Sequence, residues 1–186
     1  MVLVFDNRGS GRSGKPDMPY TIEMMAEDTA GLLGSLGIPR AHVIGISMGG
    51  RIAIALALRH PEHVISLVLA STGCRTKPLS LILKMGKFIL EPVLKKNPRP
   101  CYAFARQLEA SRTYDCRGKL GGIHVPTLVL HGRKDRRVPL PFAEEMHAGI
   151  AGSTLIVFDG GHVFPLWDYQ KFTAAVADFL SKCKRE

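Results

Sequence analysis

Short apolar runs alternate along the chain with longer segments in which apolar residues recur every three or four positions. The short runs predict buried strands. They cover residues 2–5, 43–46, 64–70, 127–130 and 155–158. The longer segments have the helical period and predict helices. These cover residues 22–36, 48–59, 141–149 and 168–182. Thr21 is a suitable N-cap for the first helix, and Gly37 followed by Pro39 is typical of a helix end.

Predicted strands and helices alternate over most of the chain. This order predicts an α/β fold with a mostly parallel sheet of about five strands and helices on both faces. In such sheets, ligands bind at the carboxyl ends of the strands. Candidate catalytic residues are therefore those that come directly after the apolar runs.

The clearest chemical motif follows the second apolar run. Residues 45–49 read Gly-Ile-Ser-Met-Gly, the G-x-S-x-G pattern of a nucleophile elbow, in which a serine lies on a tight turn between a strand and a helix. The strained turn needs small neighbours, which Gly45 and Gly49, together with Gly50, supply. We expect Ser47 to be the nucleophile and the Met48 N–H, at a helix N-terminus, to be an oxyanion donor. A glycine-rich turn with an incidental serine is the alternative.

Two other strand ends carry a carboxylate and an imidazole. Asp135 follows the run 127–130, and His162 follows the last run, so the order along the chain is Ser47, Asp135, His162. His162 comes after two glycines and is the candidate base, whose tautomer Asp135 would fix. Asp159 is the alternative acid, and a turn residue paired with a neighbouring arginine is the alternative role for Asp135.

Composition limits the classes of protein that need to be considered. A length of 186 residues, 46% of them hydrophobic, predicts one globular domain. The apolar runs are too short to cross a membrane, and residues 1–5 lead directly into polar residues, so we expect no secretory signal. The four cysteines are scattered and form no C-x-x-C pair, which favours reduced thiols and a cytoplasmic location. They are Cys74, Cys101, Cys116 and Cys183.

The net charge of +9 is concentrated in one segment. Residues 75–119 contain eleven Lys and Arg against three acidic residues, a net charge of +8. A solvated basic face is the simplest interpretation, and attraction to anionic lipid or to an acidic substrate is the alternative. Nucleic acid is not expected as a partner, because the segment lacks regularly interleaved aromatic residues and the chain has no recognised binding motif.

Five stretches of the chain resemble one known family when they are taken together. They are FDNRGSGRSGKPD (5–17), HVIGISMGG (42–50), RHPEHVISLVLAS (59–71), VPTLVLHGRKDRRVP (125–139) and GGHVF (160–164). The chain resembles the α/β-hydrolases, in particular the esterases, enol-lactone hydrolases and cofactor-free perhydrolases. The resemblance implies the α/β-hydrolase fold, a Ser47–His162–Asp135 triad, and no metal or organic cofactor.

The chain departs from this family at its start. Relatives carry earlier strands, including one whose following loop donates the second oxyanion N–H, whereas this sequence starts with the strand at residues 2–5. One hypothesis is a fragment or shortened product that completes its sheet by oligomerising. The hypothesis we favour is that residues 2–5 move into the vacant position and pair with residues 43–46. Asn7 and Arg8 would then lie beside Ser47, and the N–H of either is the predicted second oxyanion donor.

The second departure is a short insert. We predict a hydrolase core at residues 1–74 and 121–186 and a helical cap insert at residues 75–120, with helices near 79–96 and 102–113. The apolar stripe of residues 79–96 is flanked by lysines. A cap packed on the core is the simplest interpretation. A lid over Ser47 that admits acyl chains, or a weak contact with an anionic membrane surface, is the alternative.

These observations predict a serine hydrolase that cleaves small to medium, fairly apolar carboxylic esters or lactones through an acyl-enzyme. A perhydrolase with the same triad is one alternative. A catalytically weak or silent hydrolase-like module is another, because the usual oxyanion segment is missing. The expected partner is the small-molecule substrate, with a homo-oligomer as a further hypothesis.

Overall fold

A four-stranded parallel sheet forms the centre of the protein. The computed structural model describes residues 1–76 and 101–183. The strands are β1 (Ala41–Ile46), β2 (Val64–Ala70), β3 (Thr127–Gly132) and β4 (Thr154–Phe158), and they lie in chain order across the sheet. Ile46 pairs with Ala70, and Ala70 pairs with Leu130, so the carboxyl ends of the first three strands share one edge.

Helices cover both faces of this sheet, as the alternating pattern predicted. They are α1 (Ile22–Ser35), α2 (Met48–Arg59), α3 (Cys101–Thr113), α4 (Pro141–Gly149), α5 (Phe164–Trp167) and α6 (Tyr169–Lys182). Two short 3₁₀ turns cover Pro61–His63 and Arg117–Gly122. Along β2, Leu67 and Leu69 belong to the larger core, whereas Val68 and Ala70 pack on the opposite face with Phe164. This alternation explains why the strand is apolar on both faces.

The first helix begins and ends where the sequence predicted. The Thr21 side chain accepts a hydrogen bond of 3.0 Å from the Met24 N–H, which satisfies one of the free donors at the helix start. At the other end Gly37 has a φ of +65°, and the Ile38 N–H bonds to the Leu33 carbonyl at 2.9 Å. The chain then turns directly into β1.

Residues 2–5 do not form the predicted strand, and the predicted pairing with residues 43–46 is wrong. Val2 and Val4 are 88% and 86% exposed, and β1 is hydrogen-bonded to β2 alone in the described sheet. The following residues explain this, because Arg8 is bonded to Asp28 on α1 and its carbonyl accepts from Gln107 on α3. The chain after residue 5 is thereby held against these helices. Within the residues that the structure describes, the sheet therefore has four strands, not about five.

The described part of the insert packs on the core through α3. This helix confirms the helix predicted at 102–113, whereas the helix predicted at 79–96, with its proposed lid or membrane contact, lies outside the described residues. The Tyr102 hydroxyl donates to the Lys15 carbonyl at 2.7 Å, and the Gln107 amide donates to Ser10 Oγ at 2.8 Å. These bonds attach α3 to the loop that follows residue 5.

Two expectations from composition can be compared with the described residues. No helix at residues 1–76 or 101–183 is both long and apolar enough to cross a membrane. Cys74, Cys116 and Cys183 are free thiols. Burial raises the pKa of Cys74 to about 12, and Glu145 adds to the effect, so this thiol stays protonated at neutral pH.

Arg51 is a buried cation that joins α2 to the insert. It is 7% exposed, and its guanidinium donates to the carbonyls of Gly73 at 3.2 Å, Ser111 at 3.0 Å and Arg75 at 3.2 Å. Burial lowers the pKa of Arg51, because water is replaced by a less polar environment. These bonds hold α3 and the segment after β2 on the core.

Replacing Arg51 with methionine should destabilise the protein by about 2–4 kcal/mol, because buried carbonyls would lose their donors. Urea unfolding of the purified variant measures this loss. Arg59→Met is the matched control on the same helix, since Arg59 pairs with Glu27 at the surface and is half exposed. That control should cost less than about 1 kcal/mol. Equal losses in the two variants would contradict the role given to Arg51.

Candidate active site

Ser47 lies on a strained turn between β1 and α2. Its φ of 55° and ψ of −118° are uncommon for a residue with a side chain. The Ser47 N–H donates to the Ala70 carbonyl at 2.9 Å, and its own carbonyl accepts from the Thr72 hydroxyl at 2.7 Å. Both contacts come from the end of the neighbouring strand. They hold the serine at the carboxyl edge of the sheet.

The glycines of this turn have unequal roles. A Cβ on Gly45 would lie 2.5 Å from the Gly49 carbonyl oxygen and 2.6 Å from the Gly50 Cα, so only glycine fits there. A Cβ on Gly50 would lie 2.4 Å from the Thr72 side chain, whereas one on Gly49 would meet nothing within 4 Å. The expectation that Gly49 must be small is therefore wrong. Gly50, which the sequence also offered as a small neighbour, is the residue that must stay small, because Thr72 packs against it.

The structure brings together the three side chains that the sequence singled out. Ser47 Oγ lies 3.0 Å from His162 Nε2, and His162 Nδ1 lies 2.8 Å from Asp135 Oδ2. The three residues come from the ends of β1, β3 and β4, more than a hundred residues apart between Ser47 and His162. The His162 side chain is 14% exposed and that of Asp135 is fully buried. A serine hydroxyl, an imidazole and a carboxylate thus form one connected chain of hydrogen bonds.

Asp135 is held as an ionised acceptor. Its second oxygen, Oδ1, accepts from the amides of Arg137 at 2.8 Å and Val138 at 2.9 Å. Burial alone raises the pKa of Asp135, but the hydrogen bonds from His162 and from these amides outweigh burial, and the net pKa is below the ordinary value. An ionised carboxylate can only accept, so His162 Nδ1 carries the proton and Nε2 is left to accept from Ser47.

The alternative acid, Asp159, is engaged elsewhere. Its carboxylate lies 3.0 Å from Lys134 Nζ, and its side chain is 75% exposed. His162 Nδ1 is bonded to Asp135 instead. Asp135, which lies on a separate loop, is therefore the carboxylate that bonds to the His162 ring, and Asp159 is not.

Sequence reasoning missed the part that His131 plays behind Asp135. This ring is fully buried at the end of β3, its Nε2 lies 2.8 Å from the Val138 carbonyl, and the same atom is 3.6 Å from Asp135 Oδ2. It therefore secures the turn whose amides hold Asp135. The only signal in the sequence was its spacing four residues before the aspartate.

Of the three predicted oxyanion donors, Met48 alone has a position in the structure that supports the prediction. Met48 is the first residue of α2, where an N–H has no partner within the helix and the helix dipole favours negative charge. Asn7 and Arg8 were placed beside Ser47 only by the strand pairing that the structure lacks. The Arg8 guanidinium bonds to Asp28 at 2.8 and 2.6 Å, so this residue is held against α1. A donor role for Asn7 or Arg8 stays a prediction without that pairing to support it.

The acid sensitivity of the fold should report on Asp135. Because its folded pKa is lower than its unfolded value of about 3.9, it contributes stability above that pH and loses the contribution as the pH falls through the folded pKa. The difference in unfolding free energy between wild type and Asp135→Asn should thus shrink as the pH falls below about 4. Urea titrations above and below this pH measure it. A difference that grows in acid would contradict the lowered pKa.

The parallel sheet, the strained serine and the Ser–His–Asp contacts define one class of protein. A family model described as "alpha/beta hydrolase fold" matches residues 1–93, which is half of the chain. The chain belongs to the α/β-hydrolase fold family.

Individual relatives differ in the chemistry that their names state. RutD of Pseudomonas syringae pv. syringae (strain B728a), provisionally named a carbamate hydrolase, is 31% identical over 215 residues, covering 97% of this chain and 83% of the relative. The enol-lactonase from Burkholderia xenovorans LB400 is 29% identical with a TM-score of 0.82, covering 95% of this chain and 79% of that structure. The esterase EaEST from Exiguobacterium antarcticum is 29% identical with a TM-score of 0.80, covering 95% and 80%. The family supports hydrolase activity.

Proposed function

We propose that the protein hydrolyses carboxylic esters or lactones, with Ser47 as nucleophile, His162 as general base and acid, and Asp135 as the group that orients His162. The observation that carries the proposal is the continuous hydrogen-bonded chain from Ser47 Oγ through His162 to Asp135, at 3.0 and 2.8 Å. A serine hydroxyl is a poor nucleophile at neutral pH unless a base takes its proton. The distances are those that such a transfer needs.

In the first half of the reaction, Ser47 Oγ bonds to the carbonyl carbon while its proton moves to His162 Nε2. The tetrahedral intermediate then collapses, the bond to the leaving oxygen breaks, and His162 returns the proton to that oxygen. In a lactone the leaving oxygen stays attached to the acyl group, whereas in an ester the alcohol departs. Asp135 stabilises the positive charge that His162 carries between the two steps.

In the second half, water releases the acyl group. His162 Nε2 takes a proton from the water, the water oxygen bonds to the acyl carbon, and the proton returns to Ser47 as the ester bond breaks. The negative charge on the substrate oxygen develops twice, and the Met48 N–H at the start of α2 is the donor we assign to it. Loss of a single such donor costs about a hundredfold or more in kcat, so kcat depends strongly on which group is the second donor.

The relatives leave two substrate classes to be compared. The likeness to the esterase and the enol-lactonase points to an ester or lactone as substrate. The likeness to RutD points to a carbamate, whose carbonyl is attacked in the same way. A carbamate carbonyl is less electrophilic, because its nitrogen donates electrons to it, and needs fuller oxyanion stabilisation. The proposal therefore places esters and lactones first, because their carbonyl carbon is the more electrophilic.

A panel of matched substrates tests the proposal. Wild type and Ser47→Ala should be compared on p-nitrophenyl acetate, p-nitrophenyl butyrate, a γ-lactone and an N-alkyl carbamate, with far-ultraviolet circular dichroism to show that both are folded. We expect Ser47-dependent turnover of esters and lactones that exceeds turnover of the carbamate. Turnover of the carbamate alone would replace the substrate class. No Ser47-dependent turnover of any substrate would favour the catalytically silent module.

A further inference from the structure

Two histidines and a glutamate form a cluster at the C-terminal end of α2. Ser47 lies at the opposite end of this helix. His60 follows the last residue of α2, and Glu62 and His63 lie in the 3₁₀ turn that comes next. One possible ligand atom from each residue lies within 4.8 Å of the other two, and His60 Nδ1 is 3.3 Å from Glu62 Oε1. In the part of the chain that the structure describes, this is the group of three whose spacing suits a metal ion.

One nitrogen of each ring is already hydrogen-bonded to a group outside the cluster. His60 Nε2 lies 2.8 Å from a carboxylate oxygen of Glu27 on α1, and His63 Nδ1 lies 2.8 Å from the Pro39 carbonyl. Histidines that bind metals are oriented in this way, because the second nitrogen donates to a carboxylate or a carbonyl and fixes the tautomer. The nitrogens that these bonds leave for an ion are His60 Nδ1 and His63 Nε2, and an ion at His60 Nδ1 would replace the proton that this atom donates to Glu62 in its absence.

The backbone also holds the two rings side by side. The His63 N–H donates to the His60 carbonyl at 3.0 Å, and the ring centroids are 6.1 Å apart. Pro61 begins the turn and restricts its conformation. The Glu62 side chain is 62% exposed, so it is the ligand that an ion would have to order. The two rings are already held in place.

From this geometry we propose a divalent-metal site, with His60, Glu62 and His63 as the three protein ligands of a Zn²⁺ ion. Two imidazoles and a carboxylate suit zinc, with water in the fourth position. Glu27 serves as the carboxylate behind His60 and is itself paired with Arg59 at 2.6 Å. The ion would join α1, the end of α2 and the loop before β1.

The site is separate from the candidate active site. The 12 residues of α2 lie between Ser47 and His60, a distance of about 20 Å at the ordinary helical rise. A bound ion here would act on stability and leave the Ser47 chemistry unchanged. The proposal is therefore independent of the proposed hydrolase activity, and the two can fail separately.

Titration of the metal-stripped, full-length protein with Zn²⁺ tests the site. Isothermal titration calorimetry should give one ion per chain with a micromolar Kd, and the ion should raise Tm. His63→Gln should weaken binding by about tenfold to a hundredfold or more, and so should Glu62→Gln. His124→Gln is the matched control, because His124 is an exposed histidine outside the cluster. It should bind like wild type.

Three outcomes would overturn the proposal. One is the absence of stoichiometric Zn²⁺ binding to wild type, and another is undiminished binding by the double variant Glu62→Gln/His63→Gln. The third is loss of binding in His162→Ala with no loss in the cluster variants, which would place the ion at the Ser47 site. The Tm of every variant is also measured in the presence of a chelator. Equal values show that the differences in Zn²⁺ binding do not come from differences in folding.

Discussion

Replacing Asp135 with asparagine is expected to lower kcat for ester hydrolysis by about 10⁴-fold while the protein stays folded. The carboxylate accepts from His162 Nδ1 at 2.8 Å and thereby keeps Nε2 free to take the Ser47 proton. An amide in its place can present its NH₂ group to the ring, which favours the tautomer with the proton on Nε2. That tautomer cannot accept a proton from Ser47. Steady-state kinetics on p-nitrophenyl butyrate measure the loss.

Asp159→Asn is the matched control for this prediction. It changes the same kind of residue three positions before His162, but Asp159 is exposed and paired with Lys134. Its kcat should stay within about twofold of wild type, as expected for a solvated surface pair. If Asp159→Asn lost activity and Asp135→Asn kept it, the assignment of the acid would be reversed.

Replacing Gly45 with alanine should destabilise the fold by about 3 kcal/mol or more. The new methyl group would lie 2.5 Å from the Gly49 carbonyl oxygen and 2.6 Å from the Gly50 Cα, and neither backbone atom can move without displacing the start of α2. Overpacking against side chains costs about 1–3 kcal/mol, and a contact with backbone relaxes less. Urea unfolding gives the free energy, and the same shift should displace Ser47 and reduce kcat.

The control lies four residues away in the same motif. Gly49→Ala places a methyl group where no atom lies within 4 Å, within the first turn of α2. Alanine is the better helix former by about 1 kcal/mol, so this variant should be as stable as wild type or slightly more so. A large loss in Gly49→Ala together with a small loss in Gly45→Ala would contradict the packing of the turn.

Much of the fold was predictable because it depends on local patterns. The strands β2 and β3 are buried on both faces and therefore appear as continuous apolar runs, and α1 carries its start signal at Thr21 and its stop signal at Gly37. The three candidate catalytic residues each follow such a run. Their convergence then follows from the rule that parallel strands end at one edge.

What the sequence did not predict depends on contacts between distant segments. Residues 2–5 have the same apolar pattern as a buried strand, yet the attachment of Arg8 to α1 and α3 keeps them outside the sheet. The constraint on Gly50 comes from Thr72, and the role of Arg51 comes from carbonyls on other segments. No local period records such partners. For the same reason no local pattern pointed to the cluster of His60, Glu62 and His63.

An activated Ser47 is tested most directly by mapping covalent modification with a fluorophosphonate, which reacts with a serine that a neighbouring base activates. Native protein, Ser47→Ala and protein unfolded in urea should each be treated and then digested for peptide mass spectrometry. We expect one adduct per chain, on Ser47, in the native wild type alone. Modification of another serine, or native Ser47 no more reactive than Ser47 in the unfolded chain, would contradict it.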